Sequence, residues 1–360
     1  MKYILHHING IYFEIVDAEK DEYEVSFEEN LKAGTNVIYS TKLKKGMFAK
    51  CSRQYLSDLK IVVRYQGRTI KQINVLSEMK GKRVFISFES KALGDTLAWI
   101  PYCVEFAKKY DCKVIVSTFK NFLFEKTYPE LEFVEKGVVV PNIFAQFNVG
   151  WFWDEKKEPV NPILVPLQQT ATNILNLEYK EIIADIHYDK RARPIEDKYV
   201  CISIYSTAGL KLWYYWQEVI DWLKERGYRV FEISKESEMM GVKTSDYKGL
   251  ERLEDTSLES TINYLEHCEY YIGLSSGISW LAWALRKRVY MIANFTNPDH
   301  EFQTDCIRIA NHKVCHGCWH NPIFKFDRGN WNFCPINEDT PRQFECHKQI
   351  LANDVTWVLY

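Results

Sequence analysis

The sequence predicts an α/β protein with two doubly wound domains, a small β-module before them and a cysteine-rich segment after them. From Lys82 onward, short β-branched and aromatic runs alternate with helical stretches, and the same alternation starts again after Tyr199. Two such blocks of similar size, with no helix-only section between them, indicate two domains that face a cleft. We expect the four parts at residues 1–80, 81–195, 196–311 and 312–360.

The first eighty residues have the pattern of a separate β-module made of hairpins. Asn9-Gly10 and Gln66-Gly67 each separate two β-rich runs, and Asn-Gly is a strong hairpin signal. From Lys42 to Lys71 there are nine Lys and Arg and one acidic residue, Asp58, which indicates a solvated face or a subunit contact rather than a polyanion site.

In the first α/β block, "RVFISF" predicts a strand and the segment from Asp95 to Tyr110 a helix. Pro101 would cost about 3 kcal/mol inside a helix, so we expect the helix to start just before it or to kink there. Further strands are predicted at "CKVIVST", "LEFVEKG" and "VVVPNIF", with a short helix at "NFLFEKTY". Residues 147–166 are rich in Pro, Trp and charge and predict a loop.

In the second block, four runs predict strands: "VCISIYS", "YRVFEIS", "EYYIGLSS" and "RVYMIAN". Helices are predicted between them at "YYWQEVIDWLKERG", "LESTINYLEHC" and "GISWLAWALRK". The sequence contains neither a G-x-G-x-x-G nor a P-loop motif, so it supports neither a dinucleotide site of that type nor a P-loop NTPase.

Composition limits the possible classes of protein. The 360 residues are 46% hydrophobic and 26% charged, which is typical of a globular protein, and the net charge of −2 gives no reason to expect a nucleic-acid partner. No apolar run is long enough to span a membrane, and the histidines and acidic residue near the start do not fit a signal peptide. We therefore expect a cytoplasmic protein without disulfides.

Asp95 lies where the strand "RVFISF" gives way to a helix. Its carboxylate would serve there as a helix N-cap. Ligands of open α/β sheets also bind at the carboxyl ends of strands, so a catalytic base would occupy the same place. The residues alone leave both interpretations open.

Two junctions in the second block suit a bound phosphate. The first contains Ser206, Thr207 and Lys211, and the second contains Ser275, Ser276 and Gly277. Helix N–H groups attract an anion, small residues let it approach the backbone, and a lysine adds a positive charge. Taken singly, Lys211 would be a surface lysine and Ser275-Ser276 a tight turn, but two such junctions in one domain favour a diphosphate.

Four cysteines cluster near the end of the chain: Cys315, Cys318, Cys334 and Cys346. Thiols grouped in this way in a reduced chain indicate a tetrahedral metal site, and four thiolates suit either zinc or a single iron. Such a closed site leaves no position for substrate, so its role should be structural. His312, His316, His320 and His347 lie nearby in the sequence and could replace a thiol.

The sequence resembles the bacterial autotransporter heptosyltransferases, relatives of the lipopolysaccharide heptosyltransferases, over essentially its whole length. The resemblance rests on "VFISFESKALGDTLAWIPY", "YSTAGLKLWYYWQEVIDWLKERGYRV", "YIGLSSGISWLAWAL" and "VCHGCWH…FDRGNWNFCP…FEC". It implies a GT-B fold, an ADP-heptose donor and transfer to serine hydroxyls of an autotransporter passenger domain before secretion. It also implies iron bound by the four cysteines, with zinc as the alternative, and a homo-oligomer, a dodecameric ring.

The resemblance also implies roles for individual residues. Asp95 matches the catalytic base, and Lys211 matches the lysine that contacts the donor phosphates. Ser206 and Thr207 match hydroxyl contacts to the same phosphates, while Ser275, Ser276 and Gly277 match the loop around the nucleotide. The lipopolysaccharide enzymes usually have Asp at the Ser275 position and His at the Trp280 position, so their donor contacts do not transfer directly to this chain.

Two other functions fit the same pattern. One is a heptosyl- or other glycosyltransferase with a glycan acceptor. The iron-type segment and the N-terminal β-module argue against it, because neither is expected in those enzymes. The other is a catalytically inactive binding or scaffold protein that is held together by a metal. The presence of both Asp95 and Lys211 argues against this alternative.

Overall fold

The computed structural model describes residues 1–31, 34–206, 208–324 and 334–359. The chain divides into two compact units. The N-terminal unit comprises Met1–Lys91, Trp99–Pro162 and Gln168–Lys180, and the C-terminal unit comprises Ala92–Ala98, Ile163–Leu167 and Glu181–Tyr360.

The main sheet of the N-terminal unit has seven strands among the described residues. The strands of its α/β part run parallel, and the last two pairings at one end of the sheet are antiparallel. In sheet order they are β10 (Glu132–Phe133), β9 (Lys113–Ser117), β8 (Arg83–Phe88), β11 (Ala145–Val149), β1 (Lys2–His7), β2 (Ile11–Asp17) and β5 (Phe48–Cys51).

A second, antiparallel sheet packs against this part of the unit. Its strands, in sheet order, are β4 (Gly34–Leu43), β3 (Tyr23–Leu31), β6 (Leu59–Tyr65) and β7 (Arg68–Asn74). Phe13 and Ile15 of β2 share one buried core with Phe27 and Ile61 of this sheet. The prediction of a separate β-module is therefore wrong in one respect: β1 pairs in parallel with β11, so the first strands extend the α/β sheet itself.

The two predicted hairpin turns are present. Asn9 and Gly10 have φ values of 50° and 107°, and Gln66 and Gly67 have values of 49° and 75°. Positive φ at two consecutive residues gives the turn a twist that matches that of the flanking strands. A side chain at position 10 would also collide with the carbonyl oxygen of Cys51, so glycine is required there for two reasons.

Pro101 divides the predicted helix of the first block. Helix α1 (Leu93–Trp99) ends before it, and α2 (Pro101–Tyr110) begins at the proline itself, where the missing N–H is not needed. The third helix is α3 (Leu167–Leu175).

Three predictions in this block were wrong. "VVVPNIF" forms no strand, the predicted loop 147–166 begins inside β11, and "NFLFEKTY" contains only a short 3-10 turn, Asn121–Leu123. Pro141 lacks a backbone donor, so it interrupts the apolar run. The polar residues of β11 interrupt the apolar pattern by which a buried strand is recognised.

The sheet of the C-terminal unit is wholly parallel. In sheet order its strands are β16 (Leu250–Arg252), β13 (Arg229–Glu232), β12 (Tyr199–Ser203), β17 (Tyr271–Leu274), β18 (Val289–Ile292) and β19 (Cys306–Ile309). The strands predicted in this block are confirmed, and β14 (Glu238–Met239) and β15 (Val242–Lys243) form a small hairpin beside them. The helices are α4 (Trp216–Glu225), α5 (Leu258–His267), α6 (Gly277–Ala284), α7 (Glu345–Lys348) and α8 (Ala352–Val358).

The last residues of the chain pack onto this C-terminal unit. Ile350 and Val355 belong to its main core, and the indole N–H of Trp213 donates to the carbonyl oxygen of Ile350 at 2.7 Å. In the described ranges, no helix is both long enough and apolar enough to cross a bilayer.

Candidate active site

The candidate site lies at the point where the strand order of the C-terminal sheet reverses. From β12 the chain adds β13 and β16 on one side, and it then returns to add β17, β18 and β19 on the other. Ligands of open α/β sheets bind at such a switch point, outside the carboxyl ends of the two central strands. The residues that follow β12 and β17 are therefore the first candidates.

Lys211 reaches this point from a 3-10 turn, Gly209–Lys211. Its Nζ donates hydrogen bonds to the carbonyl oxygen of Ser275 at 2.9 Å and to Ser275 Oγ at 3.3 Å. Burial lowers the pKa of Lys211, while the carboxylates of Glu301 and Asp95 oppose that shift. These carboxylates favour the ammonium form, which is the form that would bind a diphosphate.

Ser275 is held in place by a buried hydrogen-bond network around the carboxylate of Glu301. Ser275 Oγ and Thr296 Oγ1 both donate to the carboxylate of Glu301, which also accepts from Arg308 Nη1 at 2.5 Å. Burial alone would raise the pKa of Glu301, but the Arg308 guanidinium and these hydrogen bonds hold that pKa well below its usual range. The carboxylate is therefore ionised and fixes the Ser275 side chain.

Sequence reasoning missed both Glu301 and Arg308. The available signal was an arginine inside the short apolar strand β19 and an acidic residue seven positions before it. Arg308 stands between two isoleucines, and a charged side chain in such an apolar setting needs a partner, so the pair could have been suspected.

Asp95 is brought to the same site by the beginning of α1. It is 9% exposed and is the third residue of the helix, so the N-cap interpretation is wrong, although an acidic residue in a first turn still stabilises a helix. The segment Ala92–Ala98 makes its contacts with the C-terminal unit. The predicted boundaries had placed Asp95 in the first domain.

Two glycines set the position of Asp95. A Cβ added to Gly94 would lie 2.9 Å from Trp280 Cδ1 and 3.4 Å from the Cα of Gly277. A Cβ on Gly277 would lie 3.2 Å from the backbone nitrogen of Gly94. The first turns of α1 and α6 thus approach each other through backbone atoms, which side chains at either position would prevent.

The structure gives different information on each of the other residues that were predicted to contact the donor. Ser206 is buried, and in the described part of the chain no group hydrogen-bonds to its Oγ. Ser276 is the N-cap residue of α6, but its side chain does not cap the helix. Thr207 lies outside the described residues. The structure therefore brings Asp95, Lys211, Ser275 and Gly277 together, and the roles of all these residues stay predictions.

The four cysteines of the C-terminal segment line one small cavity, together with Leu210, Asn294 and Phe344 among others. Burial raises the pKa of Cys346 to about 12, and the neighbouring thiols Cys315 and Cys334 add to that shift. Four soft donors around one cavity fit a tetrahedral metal chemically. Across the described ranges, however, no three His, Cys, Asp or Glu side chains form a group that could hold an ion, so the metal site remains a prediction.

The cysteine segment supports the turn that carries Lys211. Cys318 and Phe344 pack against Leu210 and Phe295 in one apolar cluster. The ring of His347 bonds the carbonyl oxygen of Leu210 through Nδ1 at 2.7 Å and accepts from the Asn294 N–H through Nε2. Both ring nitrogens are occupied, so His347 is a structural residue rather than a replacement for a thiol.

Comparison with known proteins identifies the family. A family model for glycosyltransferase family 9 (heptosyltransferase) matches residues 125–327. The chain is 31% identical to the autotransporter heptosyltransferase Aah of Escherichia coli, over 98% of this chain and 93% of Aah. This chain belongs to glycosyltransferase family 9. The predicted enzyme class is thereby confirmed.

Two further relatives bear on function. TibC, an autotransporter heptosyltransferase of Escherichia coli, is 32% identical over 90% of this chain and 82% of TibC. Its crystal structure, described as an iron-containing dodecameric glycosyltransferase, matches with a TM-score of 0.85 at 29% identity and covers 99% of this chain and 94% of TibC. BimC of Burkholderia thailandensis, named an inactive autotransporter heptosyltransferase, is 30% identical over 78% of this chain and 69% of BimC.

The likeness to TibC confirms the predicted GT-B fold and the resemblance to autotransporter heptosyltransferases. A second TibC structure, a complex with ADP-D-beta-D-heptose, matches with a TM-score of 0.86 at 28% identity, covering 99% of this chain and 94% of TibC.

Proposed function

We propose that this protein transfers heptose from ADP-heptose to serine hydroxyls of an autotransporter passenger domain. The observation that carries the proposal is the meeting of Asp95, Lys211 and Ser275 at the switch point of the C-terminal sheet. The donor is supported by the complex of TibC with ADP-D-beta-D-heptose, and the acceptor class by the names of Aah and TibC.

In the proposed reaction, Asp95 acts as the general base. Its carboxylate takes the proton of the acceptor serine while the serine oxygen forms a bond to the anomeric carbon of heptose. The bond from that carbon to the diphosphate oxygen breaks, and ADP leaves with the electron pair. A single displacement inverts the configuration at the anomeric carbon.

Lys211 stabilises the charge that develops on the leaving diphosphate. Its ammonium group already lies at the carboxyl end of β17, and the first N–H groups of α6 follow directly after Ser276. Ser206, Thr207, Ser276 and Gly277 complete the donor contacts. Glu301 holds the Ser275 side chain in place before substrate binds.

We also propose that Cys315, Cys318, Cys334 and Cys346 bind one iron ion, with zinc as the alternative. Four thiolates would close the coordination shell, so the metal would be structural and would brace the turn that carries Lys211. Elemental analysis and the visible spectrum test this: iron thiolate gives a charge-transfer colour. A colourless protein with stoichiometric zinc contradicts iron but retains the site.

The dodecameric TibC supports a homo-oligomer for this chain as well, and a dodecameric ring is our specific proposal. We place the reaction in the cytoplasm, before the passenger domain is secreted.

A second candidate, a catalytically inactive member of the family, is favoured by the relation to BimC. The presence of an acid and a lysine at the switch point argues for the active form. Release of ADP from ADP-heptose separates the two, because an inactive protein produces none. A glycan acceptor remains the other alternative.

The decisive experiment is intact-mass analysis of a serine-rich passenger fragment incubated with the protein and ADP-heptose. We expect mass increments in whole heptose units, and none with UDP-glucose or with the Asp95→Ala variant. Release of ADP without modification of the fragment would point to a different acceptor, such as a glycan. If neither is seen, the inactive function is correct.

A further inference from the structure

The N-terminal sheet has a polar face where an apolar one is expected. Strands of a parallel sheet are usually buried on both faces and therefore consist of apolar residues. In β11, Ala145, Phe147 and Val149 are buried on one side, but Gln146 and Asn148 alternate with them and face the other way. The amide of Gln146 donates to Asn148 Oδ1 at 3.3 Å, and both residues are half-buried.

The polar character continues on the neighbouring strand. Asn148 lies beside Ser87 of β8, whose hydroxyl donates to Glu89 Oε1 at 2.9 Å. Glu89 directly follows β8, so polar groups gather at the carboxyl end of both strands.

These side chains line an open cavity of about 280 Å³, which is close to the lower end of the range of small-molecule sites. Most of its lining is neutral and polar. Four of the lining side chains are amides: Asn9, Gln54, Gln146 and Asn148.

The other lining residues are Glu89, Lys157 and Phe152. The carboxylate and the ammonium group have opposite charges, so the cavity favours neither an anion nor a cation. Gly150 allows this arrangement, because a Cβ there would lie 2.9 Å from Glu89 Cβ and 3.0 Å from a ring carbon of Phe152. A half-buried aromatic ring thus stands among hydrogen-bonding groups.

The cavity also has the topological position of a ligand site. The order β10-β9-β8-β11-β1 reverses between β8 and β11, as the C-terminal sheet does between β12 and β17. Glu89 and Phe152 follow those two strands, so the cavity lies at the switch point.

We propose that this cavity binds a neutral, polyhydroxylated ligand: a heptose residue already attached to the acceptor. Amides both donate and accept hydrogen bonds, as sugar hydroxyls do, and the face of Phe152 suits the C–H groups of a pyranose ring. An extended peptide would gain its affinity by pairing with a free strand edge, but β11 lies between β8 and β1 in the sheet. The inference rests on the proposed function, since it names the part of that acceptor which the N-terminal unit recognises.

The consequence is that the product of the first heptose transfer becomes the preferred acceptor for the next one. A passenger fragment that carries one heptose would bind better than an unmodified one, and it would be retained for transfer to further serines.

The test uses synthetic peptides, so it does not depend on the transfer activity. Isothermal titration calorimetry compares a serine heptoside peptide with the same peptide lacking the sugar, on the full-length protein. We expect at least about tenfold tighter binding of the heptoside, equivalent to about 1.4 kcal/mol. The preference should be lost in Gln146→Leu/Asn148→Leu and reduced in Gln54→Ala, a loop variant that leaves the sheet unchanged. It should persist in Gln72→Leu, which alters an exposed strand amide of the other sheet.

Equal binding of both peptides to the wild type overturns the inference, and so does a preference that survives in both cavity variants. If the wild type binds both peptides equally and the variants bind neither of them, the cavity is a peptide site instead. Failure of heptose transfer with intact heptoside binding would contradict the proposed function and leave this inference standing.

Discussion

Each of the two units has a switch point between parallel strands of its main sheet, but the side chains at the two switch points differ in chemistry. At the C-terminal one, Lys211 lies above a buried pair of Glu301 and Arg308. At the N-terminal one, Gln146 and Asn148 present neutral amides. The topology fixes where a ligand binds, and the side chains fix whether it is charged.

This comparison separates the two substrates of a transferase. The charged switch point suits the diphosphate of a nucleotide sugar, and the neutral one suits the acceptor. The variants described below test whether the two switch points bind different substrates.

The largest effect is expected from Asp95→Asn, which keeps the size of the side chain and removes the base. Loss of a general base costs about 10²–10⁴-fold in turnover, while ADP binding should stay near the wild-type value because Lys211 and Ser275 remain. Transfer is measured by mass spectrometry and ADP affinity by calorimetry. The matched control is Asp111→Asn, an exposed acid after α2 that should be neutral. A turnover within a few-fold of wild type would remove Asp95 from the mechanism.

The next effect is that of Lys211→Ala. We expect transfer to fall by about 10²–10³-fold, since one charge-stabilising group is lost from the transition state. ADP affinity should fall as well, which distinguishes this variant from Asp95→Asn. Lys235→Ala removes an exposed lysine beyond β13 of the same sheet and serves as control. Unchanged ADP affinity in Lys211→Ala would mean that the charged switch point is not the diphosphate site.

The C-terminal unit could be predicted from the sequence, and the reason is physical. Its strands β12, β17 and β18 are almost wholly apolar and are buried along their whole length, so composition alone reveals them. The junctions with Lys211 and Ser275 follow directly from those strands. The bond between Ser275 and Glu301 could not be predicted, because the two residues are 26 positions apart and meet only through folding.

The N-terminal unit was predicted less well, because one of its central strands is polar on one face. β11 carries Gln146 and Asn148 on one face, so it lacks the apolar run by which buried strands are recognised. The same two amides line the cavity of the proposed heptoside site, so the feature that suggests a ligand also concealed the strand. Similarly, nothing in the sequence of β1 showed that it would pair with β11, a partner more than a hundred residues away.

A smaller effect is expected from Glu301→Gln, and it concerns pH. The Glu301 carboxylate raises the pKa of Lys211 against the effect of burial, so its removal should lower that pKa further. Lys211 would then lose its charge at a lower pH. Donor affinity, measured as a function of pH, should therefore decline at lower pH in the variant than in the wild type.

Breaking a buried ion pair also costs about 3–5 kcal/mol of stability, so these titrations require a temperature well below the melting point. The same alkaline limb in both proteins would show that another group titrates.

The smallest effect, and the most specific, is that of Gly94→Ala. The new methyl group would lie 2.9 Å from Trp280, whose ring is held by Trp283 and Phe302 at centroid distances of 5.6 and 5.0 Å and cannot easily move. Asp95 should shift instead, and misplacement of a catalytic group lowers turnover by about tenfold or more. Because the contacts of Lys211 are unaffected, kcat should fall while ADP affinity stays the same. Trp280→Phe in the same chain makes room for the methyl group and should restore part of the rate; a rate that falls further would show that Trp280 has its own role at the site.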